Sequence, residues 1–233
     1  MCASAATDWW TWQEKINSCE CRACDLFRQD CFTARPWKPM GEGGILFISE
    51  APPEEGGFWA PRPVEDKLRH HLLDILADLG LPVPQNRHSC KALHSFLVGG
   101  FFLVQAIKWP LTRGFNQLGS EQQRTLIQHS VDRHLQWEVE NVRPRGIVAL
   151  GNAAWAACAR LHHCQSAFPD GGVTTLRTQD FELRGMDGRA VLLNLTHLPV
   201  DQNMNRPQRA QEIREDVFRF LQRMGWNRSR NSG

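Results

Sequence analysis

Ile45-Leu46-Phe47-Ile48-Ser49-Glu50-Ala51-Pro52-Pro53 decides how this chain folds: four apolar residues in a row, two polar ones, then alanine and a pair of prolines. A run apolar on both faces belongs to a strand covered from both sides, not to one that alternates between core and water. The prolines lack the N–H a ladder needs and end the strand. The pattern recurs along the chain. Phe101-Phe102-Leu103-Val104 continues to Ile107 and stops before Pro110, and Gly146-Ile147-Val148-Ala149-Leu150 stops at Gly151. Ala190 to Leu195 follows Phe181-Glu182-Leu183, with Asp187-Gly188 between them as a hairpin-turn signal.

Helical spacing fills the intervals. Val64, Leu68, Leu72, Ile75, Leu76 and Leu79 share one helix face, ended by Gly80. Ser120 with Gln123 forms a capping-box pattern ahead of a helix that buries Ile127, Val131, Leu135 and Val139. Asn152 is placed to cap an Ala-rich helix from Ala153 to about Leu161. Residues 165–180 read as loop, and a last helix from near Pro207 buries Ala210, Ile213, Val217, Phe220, Leu221 and Met224. Apolar strands alternating with helices predict an α/β fold, a parallel sheet sandwiched between two helical layers. Ligands of such sheets bind beyond the carboxyl ends of the strands. Ser49-Glu50, Gln105 with Lys108, Gly151-Asn152 and Thr196-His197 all fall there, so a polar site is expected on one rim.

Composition narrows the partners. The 233 residues carry a net charge of only +2, so phosphate binding has to rest on local clusters such as Arg143 with Arg145, or Arg223, Arg228 and Arg230. No apolar run reaches the roughly 20 residues of a membrane span. Met1 to Trp12 lacks a secretory pattern, so a cytoplasmic monomer is expected. Residues 1–40 read as a Cys/Trp-rich arm, 41–225 as the folded domain and 226–233 as a flexible tail.

At the rim residues the chain resembles the uracil-DNA glycosylase superfamily, in particular the bacterial and archaeal branch related to the iron–sulfur enzymes. The resemblance is carried by Cys21-Arg22-Ala23-Cys24-Asp25-Leu26, Gly41-Glu42-Gly43, Ile48-Ser49-Glu50-Ala51-Pro52-Pro53-Glu54, Gln105-Ala106-Ile107-Lys108-Trp109-Pro110, Ala149-Leu150-Gly151-Asn152-Ala153-Ala154 and Thr196-His197-Leu198-Pro199, in order from about residue 19 to 200. It implies a three-layer α/β/α sandwich with a four-stranded parallel sheet, and a pocket for a base flipped out of DNA. It further implies Glu50 and His197 as catalytic residues. Glu50 positions water or steadies a cationic sugar, and His197 stabilises negative charge on the departing base. Phe58, with Trp59 as the alternate, would stack on the base. Gln105 would read its Watson–Crick edge beside Ala51. Lys108, Arg113 and the helix start at Asn152 would meet phosphates, and Leu198 would wedge into the gap in the duplex.

Three departures bear on specificity. Gln105 stands where an Asn is usual, Pro53 where a Gly is usual, and His-Leu-Pro where His-Pro-Ser is usual. A carboxamide presents either its oxygen or its NH₂. The expected activity is therefore a monofunctional DNA glycosylase acting on uracil or a modified pyrimidine, including one of phage DNA in a defence role. The alternative is a nucleic-acid binding module of the same fold without turnover, which Ala51 favours because some relatives carry a water-activating Asp there. A nucleotide-binding α/β protein is a weaker reading, since no glycine-rich phosphate loop follows the first strand.

No cofactor is needed for this chemistry. In iron–sulfur relatives the third cluster ligand follows the motif lysine, here Trp109, and the fourth precedes Leu135 by one turn, here Ser130 or Val131; the usual cluster is not expected. Cys19, Cys21, Cys24 and Cys31 form a candidate small zinc site, in which only Cys21-x-x-Cys24 has conventional spacing. The bland reading is reduced thiols.

Overall fold

A computed structural model describes residues 44–54, 57–59, 66–161, 168–184 and 188–226, together with 11, 14–16, 18–19 and 25–26. Its centre is a five-stranded sheet, β1 (Ile45–Ser49), β2 (Phe101–Gln105), β3 (Gly146–Leu150), β4 (Phe181–Arg184) and β5 (Ala190–Thr196), in the order β2-β1-β3-β5-β4. The four strands β2, β1, β3 and β5 run parallel, and β4 joins β5 antiparallel at the edge. The expected α/β architecture is thus present, with one more strand than the four-stranded sheet that the resemblance implies. The additional strand is the partner arm of the hairpin read at Gly188, where φ is +76°; Asp187 lies outside the described residues.

Every residue of β1, β2 and β3 is buried, as a sheet covered on both faces requires. One face carries helix α1 (Lys67–Asp78), α2 (Cys90–Val98) and the long C-terminal helix α8 (Pro207–Arg223). There Phe96 of α2 packs on Phe47 and Phe101, with ring centroids 6.0 and 5.7 Å away. Asn194 of β5 donates to the Asp216 carbonyl of α8. The opposite face carries α3 (Ser120–Ser130) and α4 (Gln136–Val142), joined through a π turn at Val131–Leu135, and α5 (Asn152–Cys158), whose Trp155 packs on Phe181 at 4.6 Å. Two single-turn helices, α6 (Val173–Leu176) and α7 (Asp201–Met204), complete the chain; α6 lies inside the stretch read as loop.

Local chemistry sets the helix ends. The Asp66 carboxylate accepts from Arg69 N at 2.6 Å and caps α1. Gly80, at φ +100°, ends it, and the turn closes with Leu81 N donating to Leu76 O. Two expected caps fall elsewhere. Gln122, not Gln123, completes the α3 cap by accepting from Gly119 N at 3.1 Å; Gln123 instead donates to the Phe115 and Leu118 carbonyls of the preceding turn. Gly151, at φ +91°, is the N-cap of α5, and the Asn152 side chain accepts from Val173 N at 3.1 Å.

The described part of the arm is docked: Ile16 is buried and Thr112 N donates to Leu26 O. Trp226, assigned by sequence to the tail, lies 5.7 Å from Phe101.

Candidate functional site

Parallel pairing of β1 with β2 sets Ser49 opposite Gln105 at the carboxyl ends of both strands. Side chains of paired residues share a face, so hydroxyl and carboxamide stand side by side. They form the floor of a cleft of about 460 Å³, within the size range of small-molecule pockets. Glu50 and Ala51 continue the floor, Phe58 lines one wall, and Arg113 and Leu198 line the rim. The loop that delivers Phe58 turns at Gly57, where φ is +67° and a Cβ would come within 2.9 Å of Pro53 Cδ. Only glycine suits that position. Phe58 is fixed from behind by Phe96 and Trp59, both at 5.1 Å.

Two floor groups are left unpaired. Ser49 Oγ is buried and has no hydrogen-bond partner. Gln105 is only 5 % exposed, and among the described residues its carboxamide makes no hydrogen bond; its one side-chain-derived contact is to its backbone oxygen, from Lys108 Nζ. A buried polar group without a partner is costly; Ser49 Oγ is such a group, and the Gln105 carboxamide beside it lines the open cleft. The third floor group, Glu50, accepts from Phe115 N at 3.3 Å. Burial pushes its carboxyl above the ordinary carboxylate value, and the Phe115 N–H opposes that shift.

His197 follows the last residue of β5 but is not among the residues lining the cleft. Its ring is engaged by Arg209 of α8, whose guanidinium meets both ring nitrogens, and Glu212 lies 3.9 Å away. Burial first, then Arg209, lowers its pKa to about 4, so the imidazole is neutral at neutral pH. Beneath it, fully buried Asp216 accepts from Thr196 Oγ1 at 2.8 Å and pairs with Arg177 and Arg219.

The structure therefore brings Glu50, Ala51, Phe58, Gln105, Arg113 and Leu198 to one cleft, and leaves four expected residues outside its lining: His197, Trp59, Lys108 and Asn152. Trp59 is buried behind Phe58, and its indole donates to Leu103 O at 2.9 Å, so it serves the sheet edge rather than a ligand. Lys108 is no surface cation: it is 5 % exposed and bonds Glu138 and Gln105 O. The phosphate role expected for it fails because its ammonium is enclosed. Asn152 lines a second, separate cleft.

At two positions where the sequence resemblance implied that cluster ligands would be missing, Trp109 is buried 5.4 Å from the His134 ring, and Ser130 Oγ donates to Ala106 O. Cys19 is a free thiol; Cys21, Cys24 and Cys31 lie outside the described residues. Among the described residues no His/Cys/Asp/Glu group is arranged to hold a metal, and no helix is long and apolar enough to cross a membrane.

Ser49 belongs to the site although its motif neighbours drew the attention. The signal was present in the strand alternation, which puts Ser49 on the face of Phe47 at the strand's polar end. Searches against protein-family models and against curated proteins match nothing to this chain. Fold and cleft define an α/β protein with a preformed, largely apolar pocket that carries polar groups on its floor, at the carboxyl edge of its sheet.

Proposed function

We propose that this protein is a monofunctional DNA glycosylase that accepts a flipped pyrimidine, uracil or a modified base, in the β1–β2 cleft. The observation that carries the reading is the cleft floor, where the buried, unpartnered Ser49 Oγ stands with the Gln105 carboxamide beside it, next to Glu50 and against the Phe58 wall. A pyrimidine edge offers adjacent donors and acceptors, which a hydroxyl and a carboxamide can meet. Both floor groups can donate or accept, which suits a base whose edge is not restricted to uracil.

In the reaction the C1′–N bond breaks with its electron pair leaving on the base, and water adds to C1′ of the resulting sugar cation, its released proton ending on the base anion. Glu50, ionised, steadies that cation or orients the water. Neutral His197, released from Arg209, donates to the departing base. Arg113 and Leu198 at the rim meet the strand.

One observation favours the second reading, a binding module without turnover: the His197 ring is held by Arg209 rather than opening onto the cleft. Mass spectrometry of free bases released from uracil-containing, modified-pyrimidine and phage DNA separates the readings. Base release by the wild type, reduced at least tenfold in both Gln105→Ala and His197→Ala, is the expected result, and release confined to modified phage DNA assigns a defence role. No release from any DNA, with DNA still bound, leaves the binding module.

A further inference from the structure

A second cleft of about 330 Å³ lies on the other side of Phe115 from the first. Gly114 lines the first cleft, Phe115 N donates to Glu50 in it, and Phe115 with Asn116 lines the second. Two guanidinium groups face this second space. Arg124 has no hydrogen-bond or ion-pair partner among the described residues, and Arg160 has one bond, to its own helix at Ala156 O. No Asp or Glu is among the described residues that line it. Asn152 donates to Asn116 Oδ1 at 3.5 Å, which leaves the Asn116 NH₂ without an acceptor. Several arginines of this chain have a carboxylate nearby, as Arg87, Arg214 and Arg223 do. Arg124 and Arg160 share a concave space with spare donors and no carboxylate, the reverse of that arrangement.

We infer that the Arg124–Arg160 cleft is an anion site that takes a phosphate group, held by the two guanidinium forks with the Asn116 amide as a third donor. Guanidinium suits phosphate because its N–H pairs match two phosphate oxygens at once. The source is either the backbone of a nucleic-acid strand or a free phosphate or nucleotide. The shared Gly114–Asn116 wall favours the strand, whose chain would cross from one cleft into the other. That continuity rests on the proposed use of the first cleft, whereas the arginine chemistry does not.

The test measures binding, not turnover. Affinity for a fluorescent single-stranded oligonucleotide is followed across salt concentrations for the full chain, R124E and R124A/R160A, each checked for an unchanged thermal midpoint. In parallel, stabilisation by inorganic phosphate and by a mononucleotide is measured. With a strand as ligand, the double variant binds at least tenfold more weakly, and the slope of log K against log salt falls by roughly 1.4, from about 0.7 per cation on a single strand. R124E gives at least half of that loss. With free phosphate as ligand, oligonucleotide binding is unaltered, but stabilisation by phosphate or nucleotide disappears in both variants. If both variants match the wild type in every arm, or the wild type binds none of these ligands, the site is refuted. Base release that persists while the variants bind normally removes this inference and keeps the glycosylase. Lost binding in the variants without base release from any DNA does the opposite.

Discussion

Removing the Lys108 ammonium is expected to unfold much of what holds the cleft floor in place. Lys108 and Glu138 are 4 % and 2 % exposed at their side chains and bond directly, and the same Nζ also bonds Gln105 O. Burial pushes the Lys108 pKa down and the Glu138 pKa up, and each is opposed by the charge of its partner. In Lys108→Met, Glu138 is left buried, ionised and unpaired, and the Gln105 carbonyl loses a donor. Breaking one side of such a pair costs about 3–5 kcal/mol. For a chain of this size that lowers the thermal midpoint by roughly 6–20 °C.

The loss has a pH signature. The stranded Glu138 has a raised folded pKa, so its penalty is complete at pH well above that value and fades as pH falls toward the ordinary carboxylate value near 4.5, where it enters the core neutral. Lys108→Met/Glu138→Leu, which removes both charges, recovers most of the stability. Urea unfolding at pH 7.5 and pH 5 reads all three. A cost below about 1 kcal/mol for Lys108→Met, constant with pH, would show the lysine to be solvated and refute the argument; that is also the behaviour of the phosphate contact that the sequence led us to expect.

Three further outcomes are expected. His134 and His197 are held at about 3 and about 4 by burial first. The unfolded chain takes up protons near 6.5 while the native one does not, so both stabilising contributions are whole above that pH. Each is lost as pH falls, with about 3 kcal/mol gone for His134 at pH 4; His134→Leu should flatten the urea-midpoint curve between pH 6.5 and 4. Gly44→Ala places a Cβ 2.2 Å from Gly100 O, main chain against main chain. It should cost roughly 1–3 kcal/mol by prising β1 from the turn into β2, and a cost near zero by thermal melting would contradict the close approach. If base release is found, its acid limb should lie above pH 4.5, because burial raises Glu50 and the ionised form is the active one; Glu50→Gln should abolish that limb along with at least tenfold of the rate.

Sequence carried the sheet well because β1, β2 and β3 are apolar runs up to their ends and β5 is interrupted only at Asn194, a signal that depends on nothing distant. β4 could be read from its hairpin turn and alternating residues. Helix α2 has no counterpart in the sequence reading, although Ser89 caps it through Ala92 N and Ala92, Leu93, Phe96 and Leu97 form its buried side. At nine residues it gives barely two turns of periodicity. The site followed the same division. Glu50 and Gln105 were legible because strand ends converge by topology, whereas Phe58, in a loop, was reached only through the resemblance. The partners of Lys108 and His197 come from α4 and α8, 30 and 12 residues away. No local pattern states that a lysine at a strand end faces inward, or that an arginine one helix later will claim a histidine.

The two margins of the sheet are closed by different means. Along β2 the Trp59 indole occupies the Leu103 carbonyl, an acceptor that would otherwise await a foreign strand. Along β4 the outermost strand is four residues long and turns Glu182 and Arg184 to solvent. Short, charged or occupied borders discourage strand addition between molecules. Exchanging Trp59 for a smaller apolar residue would therefore do more than weaken the core: it would uncover an attachment point for self-association, seen as turbidity that grows with protein concentration.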